Sequence, residues 1–354
     1  MKAIKICSAV AGFILIFFVV QRLVVPKYAS GVPGPEGLLT REYYSSNFDH
    51  DILFIGDCEV YHNFSTITLW EEFGITSFIR GNAQQLLWQS YYLLADALRY
   101  ETPRVIVLSV LAMQYNEPQY EPYNRLTLDG MRWSRYKVNA IRASMLPDES
   151  FMSYLFPFFR YKDRWRALNA DDFRYFFGNP PRASINGFML QAYTQPMGWL
   201  PYPTPRADYS FGDKAFYYLE RITQLAALHE IPLVLIKAPS QFPYWPRQWD
   251  NQIVEFANQH DLMYINLLEY VDCIGLDFSL HTFDGGATLN VFGAQKVARF
   301  FGEKMQNEFN LPDRRNEPTT AAFWEELSEL YHRNIARQLR EIEETGQMPE
   351  MWVR

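Results

Sequence analysis

The sequence predicts an α/β fold: a three-layer αβα sandwich around a mostly parallel, five-stranded sheet. The first indication is that short apolar runs alternate with longer amphipathic segments along most of the chain. The second is that the run at 104–111 is continuously apolar, as in strands that are buried on both faces. Strands joined by helical crossovers pair in parallel, and the crossing helices cover the sheet.

Five strands and the helices that follow them are predicted from this alternation. The strands are predicted at 51–55, 75–79, 104–111, 231–239 and 262–267. The helices are predicted at 65–74, 84–100, 213–230, 245–260 and 290–309. Ser65 is expected to cap the first of these helices, because a serine hydroxyl accepts a hydrogen bond from a free N–H of the first turn. Together these elements define a main domain over residues 48–310.

The alternation lapses between about 112 and 210. This segment is rich in Tyr, Phe, Trp, Arg and Pro, and it is predicted to be a helical insertion with irregular connections. Its aromatic residues either pack the insertion onto the main sheet or form a surface on which sugar rings stack. The C-terminal tail, residues 311–354, is predicted to contain a charged amphipathic helix that lies on the domain surface or on a partner.

Residues 1–27 are predicted to be a membrane anchor. The apolar stretch from Ile6 to Val25 is long enough to cross a bilayer if Arg22 reaches the interface. A cleaved signal peptide is the alternative. The linker at 28–47 begins with a Gly/Pro-rich stretch. The short N-terminal tail predicts a single-pass protein of the cell membrane with its main domain extracytoplasmic.

Charge and cysteine spacing argue against several partners and cofactors. The net charge of −7 leaves no basic footprint, so nucleic acid is not an expected partner. The three cysteines show no paired CxxC spacing, so neither a zinc site nor a disulfide framework is predicted. No metal and no cofactor are expected. A single bridge between Cys58 and Cys273 is left as an alternative.

Two loops at the predicted carboxyl edge of the sheet carry the chemistry. The first, "FIGDCEVY", places Cys58 directly after the first strand, and the second, "DGGATLNVFGAQK", starts at Asp284 and leads into the last helix. With the αβα order, these blocks resemble the SGNH/GDSL hydrolases, particularly their membrane-anchored extracytoplasmic branch in Gram-positive bacteria. The resemblance covers roughly 48–115 and 211–309, about half the chain. It implies a flavodoxin-like SGNH fold and ester hydrolysis or acyl transfer.

The resemblance also implies roles for individual residues. Cys58 stands at the position of the nucleophilic serine, and a thiolate is intrinsically the stronger nucleophile once it is ionised. Gly81 and Asn82 after the second strand, and Asn116 after the third, occupy positions that supply oxyanion donors in the family. Turn formation is the alternative for both asparagines.

The general base of the family is missing from its usual position. Relatives have a histidine directly before "LN", where this chain has Thr288. Asp284, the orienting acid of the same block, is present. His281 is the first candidate for a replacement base and His62 is the second. Either ring must come within hydrogen-bonding distance of the Cys58 thiol to take its proton.

Two functions are predicted as alternatives. The first is an ester hydrolase or acetyl transferase acting on a cell-envelope glycan or related polymer, with Cys58, Asp284 and His281 as catalytic residues. In that case Lys237, at the end of the fourth strand, either holds an anionic substrate group or only reaches water. The second, favoured by Thr288, is a catalytically degenerate protein of the same fold that binds a glycan or assists envelope assembly. Membrane contact through the N-terminal helix is expected in both, and a protein partner is left open.

Overall fold

A parallel sheet forms the centre of the computed structural model, which describes residues 2–27, 36–178, 180–196, 198 and 205–353. The strands are β1 Ile52–Gly56, β2 Ser77–Gly81, β3 Val105–Ser109, β4 Leu233–Lys237 and β5 Met263–Asn266. Their order across the sheet is β2-β1-β3-β4-β5, and every neighbouring pair is parallel. The predicted mixed α/β fold and its five-stranded parallel sheet are therefore confirmed.

The helices are numbered in chain order. They are α1 Lys2–Val24, α2 Leu38–Glu42, α3 Cys58–Asn63, α4 Thr66–Phe73, α5 Leu87–Ala97, α6 Glu121–Leu128, α7 Arg135–Ser144, α8 Phe151–Leu155, α9 Phe158–Tyr161, α10 Ala170–Arg174, α11 Asp213–Leu228, α12 Arg247–Gln259, α13 Val271–Ile274, α14 Val291–Phe309 and α15 Pro318–Thr345. Short 3-10 turns lie at Tyr43–Ser45, Leu111–Gln114, Lys162–Ala167, Leu267–Tyr270 and Arg314–Asn316. Ser65 caps α4 as predicted, since its Oγ accepts the Thr68 N–H at 3.2 Å.

Successive residues of each strand enter two hydrophobic cores, one on each face of the sheet. In β1, Ile52 and Phe54 pack in the core that includes α4, α14 and α15. Leu53 and Ile55 pack in the core that includes α5, α11 and α12. Because helices cover both faces, β1, β3 and β4 each begin with four consecutive apolar residues instead of alternating with polar ones.

The segment before β1 belongs partly to the folded domain. The predicted linker at 28–47 includes α2, which is mostly buried, and the adjacent Tyr43 and Tyr44, which are also buried. Residues 28–35 of that linker lie outside the described residues.

The predicted insertion is helical over much of its described length. Leu128 and Met131 around the end of α6, together with Ile141 of α7, pack against Leu93 of α5. Part of the insertion is therefore attached to the main domain through a small core of its own, as one of the two alternatives held. Residues 179, 197 and 199–204 of the insertion lie outside the described residues.

The insertion returns along the edge strand β2 through a tight hairpin. Ile185 and Phe188 exchange backbone hydrogen bonds of 2.9 and 3.0 Å, with Asn186 and Gly187 as the two turn residues. Both turn residues have positive φ, which is the geometry of a type I′ turn. The Asn186 carbonyl accepts the Ile79 N–H at 3.0 Å, so the hairpin covers the free edge of the sheet.

The C-terminal helix packs on the main domain. The Trp324 ring of α15 stacks on Trp70 of α4 with a centroid separation of 5.4 Å. The Tyr331 hydroxyl accepts a hydrogen bond from Ser65 Oγ at 3.2 Å. Of the two placements predicted for the tail, the described residues show the contact with the domain surface.

The N-terminal helix α1 is long and apolar enough to cross a membrane. Its 21 residues from Ile4 to Val24 have a hydropathy of 2.2, and none of the most apolar window is buried in the protein. Length and composition thus support the predicted single-pass anchor, and they also fit the signal-peptide alternative.

Candidate functional site

The candidate site lies at the carboxyl ends of β1, β2, β3 and β4, where the parallel register brings the loops together. This is the edge at which open α/β sheets bind ligands. Cys58 is the first residue of α3, immediately after the β1 turn, and its side chain is half-buried. Asp57 precedes it as the N-cap, and its Oδ1 accepts the Glu59 N–H at 3.0 Å.

The surroundings of Cys58 disfavour its thiolate. Burial raises the pKa of the Cys58 thiol well above its ordinary value, and the nearby carboxyl groups of Asp57, Glu59 and Asp284 raise it further. Burial and Glu59 also raise the pKa of Asp57. The thiol is therefore protonated at neutral pH, and a reaction at its sulfur requires another group to take the proton.

The position of the missing base is occupied by a closed hydrogen-bonded turn. The Thr288 hydroxyl donates to Asp284 Oδ2 at 2.6 Å, and the Thr288 and Ala287 N–H groups donate to Asp284 Oδ1 at 2.8 and 3.1 Å. Asp284, which was predicted to orient a histidine, instead holds the backbone and hydroxyl of its own loop.

His281 is hydrogen-bonded within its own loop. Its ring Nδ1 accepts the backbone N–H of Asp277 at 2.8 Å, and the backbone N–H of His281 donates to the Asp277 carbonyl at 2.8 Å. Burial lowers the pKa of the His281 ring. All six histidines are described, and none of their rings forms a hydrogen bond with Cys58 Sγ. The structure therefore does not bring the predicted base to the predicted nucleophile.

His62 also has a structural partner. Its Nδ1 donates to the Met189 carbonyl at 2.9 Å, and its ring packs against Phe283 at a centroid distance of 4.8 Å. Burial lowers the pKa of the His62 ring to about 4. A neutral ring fixed in this way attaches α3 to the returning insertion.

The side chains of Asn82 and Asn116 form hydrogen bonds within the protein. Asn82 Nδ2 donates to Thr40 Oγ1 at 3.0 Å and to Gln85 Oε1 at 3.2 Å. Asn116 Oδ1 accepts the Lys214 N–H at 2.8 Å at the start of α11. The Asn82–Gln85 contact fits the turn-forming alternative, whereas Asn116 links the segment after β3 to the start of α11.

Gly81 provides space for α3. A Cβ atom at Gly81 would lie 2.7 Å from Val60 Cγ2 and 3.1 Å from the Asp57 carbonyl. The close packing of α3 against the end of β2 therefore depends on a glycine at this position.

Lys237 forms a buried ion pair that the sequence did not predict. Its Nζ lies 2.5 Å from Glu59 Oε1 and donates to Ser240 Oγ at 2.9 Å and to the Ala238 carbonyl at 2.8 Å. Glu59 Oε2 accepts the Ala238 N–H at 3.3 Å and the Ser109 hydroxyl at 3.5 Å. Both charged side chains are almost completely buried, so Lys237 neither reaches water nor presents a free charge to a substrate.

Tyr115 is a further residue near Cys58 that the sequence analysis did not single out. Burial raises the pKa of the Tyr115 hydroxyl, and the nearby Asp57 and Cys58 raise it further. The Tyr115 side chain is half-buried and follows β3 at the same edge of the sheet as Cys58. Within the described residues, no group of three His, Cys, Asp or Glu side chains is arranged to hold a metal ion.

Comparisons with known proteins do not settle the family. No protein-family profile matches the chain, and no curated protein is detectably similar in sequence. Among solved structures, the chain is similar to one assigned as a lipolytic protein of the G-D-S-L family from Desulfitobacterium hafniense DCB-2. That similarity has 8% identity and a TM-score of 0.34, over 71% of this chain and 97% of the other. A likeness at this level does not establish a shared function.

Proposed function

We propose that the protein is a membrane-tethered member of the SGNH-type folds that lacks hydrolase chemistry and acts in the cell envelope by binding a glycan or as an assembly partner. In this proposal, α1 is the anchor and the main domain is extracytoplasmic. The three-layer arrangement would present the carboxyl edge of the sheet, with Cys58, to the envelope polymer.

One observation carries the proposal: Thr288 takes the place of a general base, and its hydroxyl is bound to Asp284 at 2.6 Å. A base must lie within hydrogen-bonding reach of the proton that it abstracts. His281 and His62 are both committed to other partners, on Asp277 and Met189. None of the six histidine rings forms a hydrogen bond with Cys58 Sγ, through which it could accept the thiol proton.

The electrostatics of the site support the same function. A working thiol nucleophile usually has a lowered pKa, through a histidine or another positive neighbour. Here burial and three carboxyl groups raise the pKa of Cys58. Lys237, a buried cation at this edge, is paired with Glu59. Such surroundings do not favour the ionised thiol that an acyl-transfer centre requires.

A thiol-dependent ester hydrolase or acyl transferase is the second candidate function. It is favoured by the half-buried Cys58 at the first residue of α3, at the carboxyl edge of the sheet. In that case the thiol would attack the ester carbonyl, the alcohol would leave with a proton, and water would release the acyl group. The substrate or a rearranged loop would have to supply the base.

Hydrolysis of p-nitrophenyl acetate by the full-length chain in detergent micelles tests the proposal. We expect equal rates for the wild type, Cys58→Ala and Cys58→Ser, all at the background of the micelles. A thiol assisted by a general base would exceed the Cys58→Ala rate by roughly 10²–10⁴-fold, and that result would reject the proposal.

The Thr288→His variant tests whether the absence of a base at this position alone accounts for the expected lack of esterase activity. A gain that disappears in the Thr288→His/Cys58→Ala double variant would show that the remaining site is still competent. Because free imidazole itself reacts with aryl acetates, Thr319→His is the matched control. It introduces the same side chain at an exposed position of α15.

A further inference from the structure

The aromatic part of the insertion packs against the last turns of α1. The Phe17 ring of α1 contacts the rings of Phe156 and Phe158 at centroid distances of 5.9 and 5.5 Å. Near the end of the helix, an Arg164 guanidinium N–H donates to the Val24 carbonyl at 3.1 Å. Residues around α9 and the following 3-10 turn therefore pack against the C-terminal end of α1.

These contacts determine at which depth along the apolar helix α1 the insertion lies. Phe17 precedes Val24 by seven residues, which is about 10 Å along a helix axis. The span of 21 residues has about the length of the hydrocarbon core, roughly 30 Å. When α1 spans the bilayer, residues that touch Phe17 must therefore lie at the membrane interface or below it.

The same segment exposes several large apolar side chains among exposed charged residues. Its large exposed side chains, with the exposed fraction of each, are Leu155 (40%), Phe159 (51%), Trp165 (60%), Phe173 (61%) and Phe177 (93%). Single exposed apolar residues are ordinary, but a group of this size within one short segment marks an interaction surface. The Phe159 ring also contacts Phe158, at 6.1 Å, so the exposed group is continuous with the contacts to α1.

Basic residues are interleaved with these aromatic side chains. Lys162, Arg166 and Arg174 are exposed, and the Arg166 guanidinium lies over the Trp165 ring at 5.1 Å. Aromatic rings and basic side chains together are typical of segments at the level of lipid headgroups, where the rings enter the acyl boundary and the charges meet phosphates.

The segment is joined firmly to the main domain. Arg160 forms ion pairs with Glu36 at 2.6 Å and with Glu121 of α6 at 2.5 Å. Arg125 of α6 donates to Ser153 Oγ at 2.5 Å. Contact of the segment with a membrane would therefore fix the orientation of the whole domain.

We propose that residues 151–177 form a second membrane contact, an interfacial platform that inserts its aromatic face into the lipid bilayer beside α1. The occupant of this face is the bilayer itself, because the surface continues directly from the spanning helix. The platform would hold the domain close to the membrane surface in a defined orientation. The inference rests on the membrane tether of the proposed function and is independent of the loss of hydrolase chemistry.

Depth measurements on the full-length chain in phosphatidylcholine vesicles test the platform. Nitroxide labels are placed singly by Phe159→Cys, Trp165→Cys and Phe177→Cys, with the native cysteines replaced by alanine. We expect each label to collide with oxygen in preference to a water-soluble nickel chelate, at a depth of about 5–10 Å below the headgroups. A label at Phe13→Cys provides the reference for the span, and one at Leu228→Cys, a position that is 79% exposed, provides the reference for water.

Each pattern of labels has a distinct meaning. Platform labels as accessible to nickel as the Leu228 label, with the Phe13 label in lipid, would overturn the platform and leave the tether intact. A Phe13 label in water would overturn the tether and the platform together. Platform labels shielded from both reagents would show that a protein covers this face, which would also overturn the proposal.

Discussion

Methionine in place of Lys237 is expected to lower the free energy of unfolding by about 3–5 kcal/mol. The substitution leaves Glu59 charged and almost completely buried, 2.5 Å from where its partner was. Ser240 and the Ala238 N–H still donate to the carboxylate, but they carry no compensating charge. Urea unfolding of the full-length chain in micelles measures the loss. Trp245, whose ring lies 5.9 Å from Lys237 Nζ, is a local fluorescence reporter.

Two further variants separate the buried pair from a general effect of losing a positive charge. Arg299→Met breaks an exposed ion pair with Glu72, whose side chains are 52% and 44% exposed, and it should cost at most about 1 kcal/mol. The double variant Lys237→Met/Glu59→Gln should lose less than the sum of the two single variants, because it removes both charges. A Lys237→Met loss no larger than that of Arg299→Met would show that the pair is not buried as described.

Alanine in place of Gly187 is expected to destabilise the protein by about 3 kcal/mol, from the left-handed backbone and the steric overlap together. Gly187 has φ +83°, and a Cβ atom there would overlap the carbonyl group of Ile79 in β2. The turn would have to leave the sheet edge. The next residues would move with it, including Met189, whose carbonyl accepts the His62 ring N–H. Urea unfolding in micelles measures this loss as well.

Gly346→Ala is the matched control for the turn. Gly346 has a similar positive φ of +66°, but a Cβ atom there meets nothing within 4 Å. This variant should show only the cost of the left-handed backbone, about 1–2 kcal/mol. Equal losses for the two variants would contradict the close approach of the hairpin to β2.

The strands were predictable because their burial on both faces leaves a continuous apolar signature. The runs at 51–55 and 104–111 correspond to β1 Ile52–Gly56 and β3 Val105–Ser109 within two residues at each end. The hairpin that covers β2 was missed although its signal was present, since Asn186-Gly187 is the pair that a type I′ turn favours. The aromatic-rich composition of the insertion predicts helices with irregular connections, and it does not predict this turn.

The contacts of the site were less predictable than its location. Glu59 and Lys237 lie 178 residues apart, and no local pattern pairs them. The resemblance predicts a histidine where this chain has Thr288, and the structure adds the hydrogen bond from Thr288 to Asp284. Whether His281 could compensate depended on how its loop closes. Its Nδ1 is bound within that loop, to the Asp277 N–H.

The pH dependence of Cys58 alkylation tests most directly the claim that this thiol has no base. Iodoacetamide reacts with thiolates, and peptide mapping of the full-length chain follows Cys58 beside the exposed Cys273 in the same sample. Since burial and the carboxyl groups raise the pKa of Cys58, its rate should stay low at neutral pH and still be rising at about pH 9. Asp284→Asn removes one of those charges and should increase the rate at about pH 8. A Cys58 rate that exceeds that of Cys273 and levels off near neutral pH would reveal a stabilised thiolate and contradict the claim.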